Sequence, residues 1–119
     1  MRKPTVLIGH PPFVYFFQDA VDESLPIKIG FARDVSGRLA SAQTGYWRKL
    51  KILGVVRGER EKEEELHDRF VGARVFGEWF SPVPDLLDLI LKEAKDLDVV
   101  LEEIRVNRDI FGPGSGVAL

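Results

Sequence analysis

The sequence of 119 residues contains no cysteine. Disulfide bonds, thiolate nucleophiles and zinc sites with cysteine ligands are therefore excluded. No apolar run approaches the roughly 20 residues that a helix needs to span a bilayer. A short apolar patch near the N-terminus is interrupted by His10 and by prolines, and we interpret it as part of the fold and not as a signal peptide. We therefore expect no membrane partner and a cytoplasmic location.

Glycine-rich phosphate loops are also missing, because the glycines form neither GxGxxG nor GxxxxGK[ST]. The two histidines, His10 and His67, lie far apart in the sequence, so we expect no zinc site built on them. The net charge of −2 argues against a protein that binds nucleic acid through overall basicity.

The charges are nevertheless unevenly distributed along the chain. Residues 26–57 carry seven lysines and arginines against the single acid Asp34, so the rest of the chain has ten cations and eighteen anions. A basic segment in an acidic chain indicates a local face that binds anions. The alternative is that these cations cluster by chance on a solvated surface.

The first half of the chain predicts two strands. FVYFFQ, residues 13–18, is a continuous apolar and aromatic run, which predicts a buried central strand. After a polar loop, IKIGFA at residues 27–32 alternates in polarity and predicts a second strand, antiparallel to the first. Its apolar residues share one face, which leaves Lys28 and Gly30 on the other. Gly30 clears space beside Lys28, as expected where a ligand or backbone approaches closely.

A helix is predicted to follow, with Asp34 as its N-cap and Gly45 at its end. Arg38 lies beside the apolar stripe of this helix, so its stem can pack while its head reaches outward. A third strand is predicted around residues 51–56, and a charged helix over residues 59–70.

The remainder predicts a turn-rich connection at residues 71–85 and a last helix that Pro84 can start. Residues 96–98 either break this helix or lie within it. The expected fold is α+β, a small three-stranded antiparallel sheet flanked by helices, to which residues 5–8 could add an edge strand.

Several short sequence motifs occur in an order that resembles the GIY-YIG nuclease superfamily, in particular a short subgroup found in phages, bacteria and fungi. They are VYF at residues 14–16, KIG at 28–30, RL at 38–39, QTG at 43–45, ELH at 65–67 and GEWF at 77–80. The resemblance implies a small antiparallel sheet and cleavage of phosphodiester bonds in nucleic acid, with DNA as the expected substrate. It also implies the host cytoplasm as the location if the chain is encoded by a phage.

The resemblance assigns catalytic roles by position. Tyr15 matches the first motif tyrosine, Lys28 stands where many members have the second, and Arg38 matches the helix arginine. His67, one turn from the metal-binding candidate Glu63, is expected to orient water or the phosphate. The late asparagine of the family has no clear match in this sequence.

The metal that the resemblance implies is a single Mg²⁺ or Mn²⁺. Glu63 is the better match for its glutamate ligand, and Glu78 is the competing candidate. Carboxylate oxygens suit these hard cations. Tyr15 could act as general base if its pKa is lowered from about 10, and we expect the neighbouring Lys28 to lower it.

Substrate binding is expected to depend on the basic segment and on the aromatic side chains within it, which can stack on bases. The residues assigned to it are Gly30, Arg33, Tyr46, Trp47, Arg48 and Lys49.

Each of these residues also has a purely structural interpretation. Tyr15 lies in a run of phenylalanines, where a core tyrosine is the default, and Lys28 could be an ordinary exposed strand residue. Glu63 lies among other glutamates that could form a solvated face, and His67 could simply pack against Phe70. Glu78 could pair with a cation.

The expected organisation is an N-terminal extension or edge strand at residues 1–12, a nuclease-like domain at 13–82, a helical extension at 83–106 and a flexible tail at 107–119. The first hypothesis is a metal-dependent endonuclease. The second is a catalytically inactive module of the same fold that binds nucleic acid. A third is an interaction protein that uses its last helix and tail.

Overall fold

The structure is a computed structural model in which the backbone of residues 11–111 and the side chains of residues 11–107 are described. The possible edge strand at residues 5–8 and the glycine-rich end of the predicted tail lie outside the described residues. Within this part of the chain, no helix is both long enough and apolar enough to cross a membrane.

The described chain forms one five-stranded antiparallel sheet with the strand order β3-β1-β2-β5-β4. The strands are β1 (Phe13–Asp19), β2 (Ile27–Ala32), β3 (Leu50–Arg57), β4 (Arg74–Phe76) and β5 (Trp79–Phe80). The expectation of a three-stranded sheet is therefore wrong, although the fold is α+β. The additional strands β4 and β5 arise from the segment interpreted as a turn-rich connection. They have three and two residues, which is too short to show an alternating pattern.

Between residues 11 and 111, four α-helices accompany the sheet: α1 (Val35–Thr44), α2 (Arg60–Arg69), α3 (Pro84–Glu93) and α4 (Leu97–Phe111). The predicted boundaries of α1 are confirmed, because the Asp34 carboxylate accepts a hydrogen bond from the Gly37 backbone N–H and Gly45 is the C-cap. Between α3 and α4 the backbone of Lys95 exchanges two hydrogen bonds with Val55 of β3, at 2.8 and 2.9 Å. The chain therefore turns at this point, and the last helical segment is two helices.

Every residue of β1 is buried, because helices pack on both faces of the sheet. Phe13, Tyr15 and Phe17 point to the face that carries α1 and α4. Val14 and Phe16 point to the opposite face, where α2 and α3 pack. A strand that is covered on both faces has a nearly continuous apolar sequence, which explains the pattern of residues 13–18.

Candidate functional site

A pocket of about 340 Å³ opens at the C-terminal end of β2, between α1 and α2. Its lining consists of Phe31, Ala32, Arg33, Arg38, Arg60, Glu63 and Glu78. The pocket therefore brings together four residues that the sequence assigned to a site and adds Arg60. A larger depression of about 710 Å³ between α2 and α3 contains none of the predicted site residues, so volume alone does not identify the site.

Tyr15 lies behind this pocket, directly opposite Gly30 in the pairing of β1 with β2. The ring occupies the space that a side chain at Gly30 would need, since a Cβ built there would overlap the tyrosine Oη and Cζ. The Tyr15 hydroxyl is fully buried and makes no hydrogen bond, although the Arg38 guanidinium lies near enough to lower its pKa. Buried polar groups in folded proteins are nearly always paired, so this hydroxyl is the atom in the site whose bonding is incomplete.

The charges around Tyr15 differ from the expected arrangement. Burial raises the pKa of Tyr15, Arg38 lowers it, and Glu78 and Glu63 raise it further, so that the net direction is upward. Lys28 was expected to lower this pKa, but its Nζ forms an ion pair with Glu78 Oε1 at 3.2 Å. The expected downward shift of the pKa is therefore wrong, because burial outweighs the effect of the Arg38 charge on the hydroxyl.

Glu63 and Glu78 approach each other from different elements. Glu63 lies on α2, whereas Glu78 lies in the two-residue turn between β4 and β5, next to Gly77 with its positive φ of 51°. The turn is attached to β2, because the Ile29 N–H donates to the Glu78 carbonyl oxygen at 2.9 Å. Burial, the charge of Glu78 and a hydrogen bond to its carboxyl group all raise the pKa of Glu63.

This carboxyl pair fits a divalent cation. Mg²⁺ is commonly held by one or two protein carboxylates while it retains several waters. Glu63 and Glu78, which lie close enough that the charge of Glu78 raises the pKa of Glu63, provide such a donor set. Within the described residues no group of three or more histidine, cysteine, aspartate or glutamate side chains could hold a metal.

Arginine side chains supply the positive charge of the pocket. Arg33 and Arg38 flank its α1 side, and Arg60 lies on α2 with its guanidinium 5.8 Å from the Phe31 ring centroid. Sequence reasoning missed Arg60. Its signal was the spacing, because Arg60 precedes Glu63 by three residues and therefore shares its helix face.

His67 lies at the edge of β2 and not in the pocket lining. Its Nε2 is 2.9 Å from the Ile29 carbonyl oxygen and donates to it, since a carbonyl oxygen can only accept. The imidazole also packs against Phe80, with 5.0 Å between ring centroids. In this position His67 fixes α2, and with it Glu63, against the strand that carries Gly30.

The predicted aromatic and basic cluster has a different set of contacts. Tyr46 donates its hydroxyl hydrogen bond to Asp19 Oδ2 at 2.9 Å, and Arg48 Nε donates to the same oxygen at 2.8 Å. Trp47 is 77% exposed, and the Arg48 guanidinium lies 4.4 Å from its ring centroid. Lys49 is exposed on the surface. Tyr46 and Arg48 thus compensate a buried charge near the end of β1, outside the pocket.

Asp19 is fully buried, and burial alone would raise its pKa. Hydrogen bonds from the backbone N–H groups of Asp22 and Val21, each 2.8 Å long, and from the Arg48 and Tyr46 side chains outweigh that effect. They hold the pKa of Asp19 well below its ordinary value. The ionised carboxylate is therefore a stabilising part of the fold.

Asp19→Asn is expected to lower the melting temperature at pH 7 by roughly 10 °C, because the substitution leaves Arg48 without its buried partner. The folded-state pKa lies below the unfolded value of about 3.9, so this stabilisation is present above that pH and is lost as the pH falls. Melting curves between pH 2 and 7 should therefore show the wild type and variant converging in acid. An equal difference in melting temperature at pH 2 and pH 7 would contradict the assignment, and Asp68→Asn at an exposed position is the control.

Comparison with known protein families identifies a matching domain. The T5orf172 domain model matches residues 12–105, and no GIY-YIG model matches, so the expected membership of the GIY-YIG superfamily is wrong. Searches of curated proteins and of solved structures find no match. The family match is consistent with a role involving nucleic acid and gives no catalytic detail. Because the match covers most of the sequence, the chain belongs to the T5orf172 domain family.

Proposed function

We propose that the protein is a divalent-metal-dependent endonuclease that hydrolyses phosphodiester bonds in nucleic acid, with DNA as the first substrate to test. The observation that carries this proposal is a buried, unpartnered tyrosine hydroxyl behind a pocket of three arginines and two carboxyl groups. A phosphodiester is an anion, and its hydrolysis needs a held phosphate, an oriented water and compensation of developing charge.

The arginines support the binding of the phosphate. We assign Arg38 to the scissile phosphate, and the effect of its charge on the Tyr15 hydroxyl supports this assignment. A planar guanidinium can donate two parallel hydrogen bonds to phosphate oxygens, which fixes orientation as well as charge. Arg33 and Arg60 line the same pocket and are placed to bind the flanking phosphate oxygens.

Glu63 and Glu78 are the residues that would hold Mg²⁺ or Mn²⁺. When bound, the cation supplies Lewis acidity toward the phosphoryl oxygen and the leaving oxygen. The chain's own contribution is the orientation of the two carboxyl groups. His67 anchors α2 to the Ile29 carbonyl, and the Ile29 N–H anchors the turn that carries Glu78.

Tyr15 is assigned to the attacking water. In the hydrolysis, the water oxygen forms a bond to phosphorus, the P–O ester bond breaks, and the departing oxygen takes up a proton from solvent. The water loses its proton to the Tyr15 oxygen when the tyrosine is ionised. Because burial raises the pKa of Tyr15, the ionised fraction is small at neutral pH and grows as the pH rises.

Tyr15→Phe is the direct test. The wild type is expected to nick plasmid DNA with Mg²⁺ or Mn²⁺, to stop in EDTA, and to cut faster as the pH rises from about 7 to 9. The variant keeps the ring that packs on Gly30 and loses only the hydroxyl. We expect its rate to fall by on the order of a hundredfold or more, with a flattened pH profile. Initial rates of cleavage across this pH range measure both effects.

Two controls accompany this test. Melting temperature and DNA affinity of Tyr15→Phe, measured in EDTA, should match the wild type and show that the fold and the phosphate contacts survive. If the wild type cuts neither DNA nor RNA with any divalent metal, the proposed function is wrong. If Tyr15→Phe cuts normally, the role assigned to Tyr15 is wrong.

A second candidate function is a nucleic-acid-binding module without catalysis. The raised pKa of Tyr15 favours it, since a protonated tyrosine is a poor base at neutral pH. It predicts salt-sensitive binding of DNA without cleavage, and the same wild-type assay separates the two functions.

A further inference from the structure

One part of the sheet face on the α1 side remains open. The strand pairing places Lys28 opposite Trp79, and Trp79 opposite Phe76, so these side chains lie side by side across β2, β5 and β4. On the same face α1 and α4 cover the residues of β1, as the burial of Tyr15 shows. Phe76, at the outer strand of this row, is 64% exposed.

Three aromatic rings along this face are almost parallel, and we call them the aromatic row: Tyr46, Trp79 and Phe76. Phe76 is exposed, whereas Tyr46 and Trp79 are half-buried. The Tyr46 and Trp79 centroids are 5.9 Å apart with 14° between ring planes, and the Trp79 and Phe76 centroids are 6.5 Å apart with 25°. The Lys28 ammonium lies 5.7 Å from the Trp79 ring centroid. A core role does not explain Phe76, because most of its surface faces solvent.

The aromatic row begins at the rim of the pocket. Glu78, which lines the pocket, is the residue before Trp79 and forms the ion pair with Lys28 at 3.2 Å. Lys28 therefore contacts both the pocket and the row. A strand whose phosphate lies among the pocket arginines would place its neighbouring nucleotides over the aromatic rings.

We propose that the aromatic row stacks with unpaired bases, and that the substrate class of this protein is single-stranded or locally unpaired nucleic acid. The proposal rests on the proposed function, since it takes the pocket as the phosphate site. Exposed rings on a sheet face bind bases through their π-faces, almost independently of sequence. In a duplex those faces are stacked on neighbouring base pairs and are not available to the protein.

The competing occupant of this surface is a second copy of the chain. β4 is the outer strand of the sheet, and Val75 beside Phe76 is 51% exposed, as expected for an edge that pairs with another strand. Nucleic acid is favoured because the rings lie beside Lys28 and an arginine-lined pocket, which complement a negatively charged strand. β4 also has only three residues with which to pair.

The experiment measures binding in EDTA, so that no cleavage occurs. The ligands are a fluorescein-labelled oligothymidylate and an abasic strand of the same length, which has the same phosphates and no bases. Phe76→Ala is compared with Leu91→Ala, which removes an 84% exposed apolar side chain on α3. In a Trp47→Phe protein Trp79 is the one remaining tryptophan, so its fluorescence reports stacking directly.

The wild type is expected to bind oligothymidylate more tightly than the abasic strand. Phe76→Ala should weaken oligothymidylate binding by about tenfold and leave the affinity for the abasic strand unchanged. Leu91→Ala should bind both strands like the wild type. Oligothymidylate should quench Trp79 fluorescence, and the abasic strand should not.

The proposal is overturned if both strands bind equally, or if Phe76→Ala has no effect on oligothymidylate affinity. It is also overturned if light scattering shows a dimer that Phe76→Ala dissociates without any change in DNA affinity. If the protein binds bases but cleaves nucleic acid with no divalent metal, the proposed function is wrong and the aromatic row is still a base-binding surface. Cleavage of DNA without base-dependent binding would remove this inference alone.

Discussion

Glu63→Gln is expected to reduce metal-dependent cleavage by on the order of a thousandfold. Glu63 is the stronger candidate for the principal metal ligand, because Lys28 already partly neutralises Glu78 at 3.2 Å. Burial and then the charge of Glu78 raise the pKa of Glu63, and a cation bound there would compensate the effect of that charge. Glu78→Gln should therefore reduce cleavage as well, but less than Glu63→Gln.

The substitution by glutamine also gives a readout that does not depend on activity. Glutamine has nearly the same shape as glutamate, and it removes a carboxyl group whose charge is disfavoured by burial and by the neighbouring Glu78. The melting temperature of Glu63→Gln should therefore equal or exceed that of the wild type, whereas binding of Mn²⁺ measured by titration calorimetry should be lost. If Glu63 had a purely structural role, Glu63→Gln would have a lower melting temperature than the wild type and would still bind Mn²⁺.

Glu64→Gln is the matched control, because Glu64 follows Glu63 on α2 and is exposed. It removes the same charge from the same helix and should leave both Mn²⁺ binding and cleavage at wild-type levels. If Glu63→Gln binds Mn²⁺ like the wild type, or if Glu64→Gln loses as much cleavage, the metal site is not at Glu63.

The parts of the fold that the sequence predicted correctly depend on local signals. Asp34 and Gly45 delimit α1 because an N-cap and a C-cap act within a few residues of the chain. The run at residues 13–18 marks β1 because burial on both faces favours apolar side chains at nearly every position. These effects need no knowledge of what packs against the segment.

The parts that the sequence could not predict depend on contacts between distant segments. β4 and β5 form because a two-residue turn brings Trp79 against Lys28, more than fifty residues away along the sequence. The same contact brings Glu78 into an ion pair with Lys28. Burial is then the largest influence on the pKa of Tyr15. No pattern within the first strand contains that information.

The mistaken family shows the same limitation. The resemblance depended on sequence motifs of two to four residues. Such short motifs reflect local requirements, such as the glycine beside Tyr15 or the turn before Trp79. The match that establishes the family extends over residues 12–105. Much of that range lies outside the short motifs, in segments such as α3 and α4.

Gly30→Ala is expected to destabilise the protein by about 3 kcal/mol, at the upper end of the usual cost of overpacking. The added Cβ would overlap Tyr15 Oη and Cζ and lie 2.7 Å from Cε1, which is well inside van der Waals contact. The tyrosine ring has little room to move away, because it stacks on Phe17 with 4.1 Å between centroids. Urea denaturation would measure the change in the free energy of unfolding.

The matched control is Gly72→Ala, because a Cβ at Gly72 would meet no atom within 4 Å. A loss of stability shared by both variants would reflect glycine replacement in general, and a loss confined to Gly30→Ala would reflect the contact with Tyr15. The background Tyr15→Leu gives a sharper test, since it removes the atoms that the Cβ would overlap. In that background Gly30→Ala should cost less than about 1 kcal/mol, so the two substitutions should be strongly non-additive.

The same variant connects the fold to the proposed chemistry. If the ring of Tyr15 is displaced, its hydroxyl leaves the position where Arg38 acts on it, and cleavage should fall even at temperatures where Gly30→Ala remains folded. Affinity for DNA in EDTA should change little, because the arginines of the pocket are on other elements. A folded Gly30→Ala protein that cleaves at the wild-type rate would show that Tyr15 packs against Gly30 for stability alone.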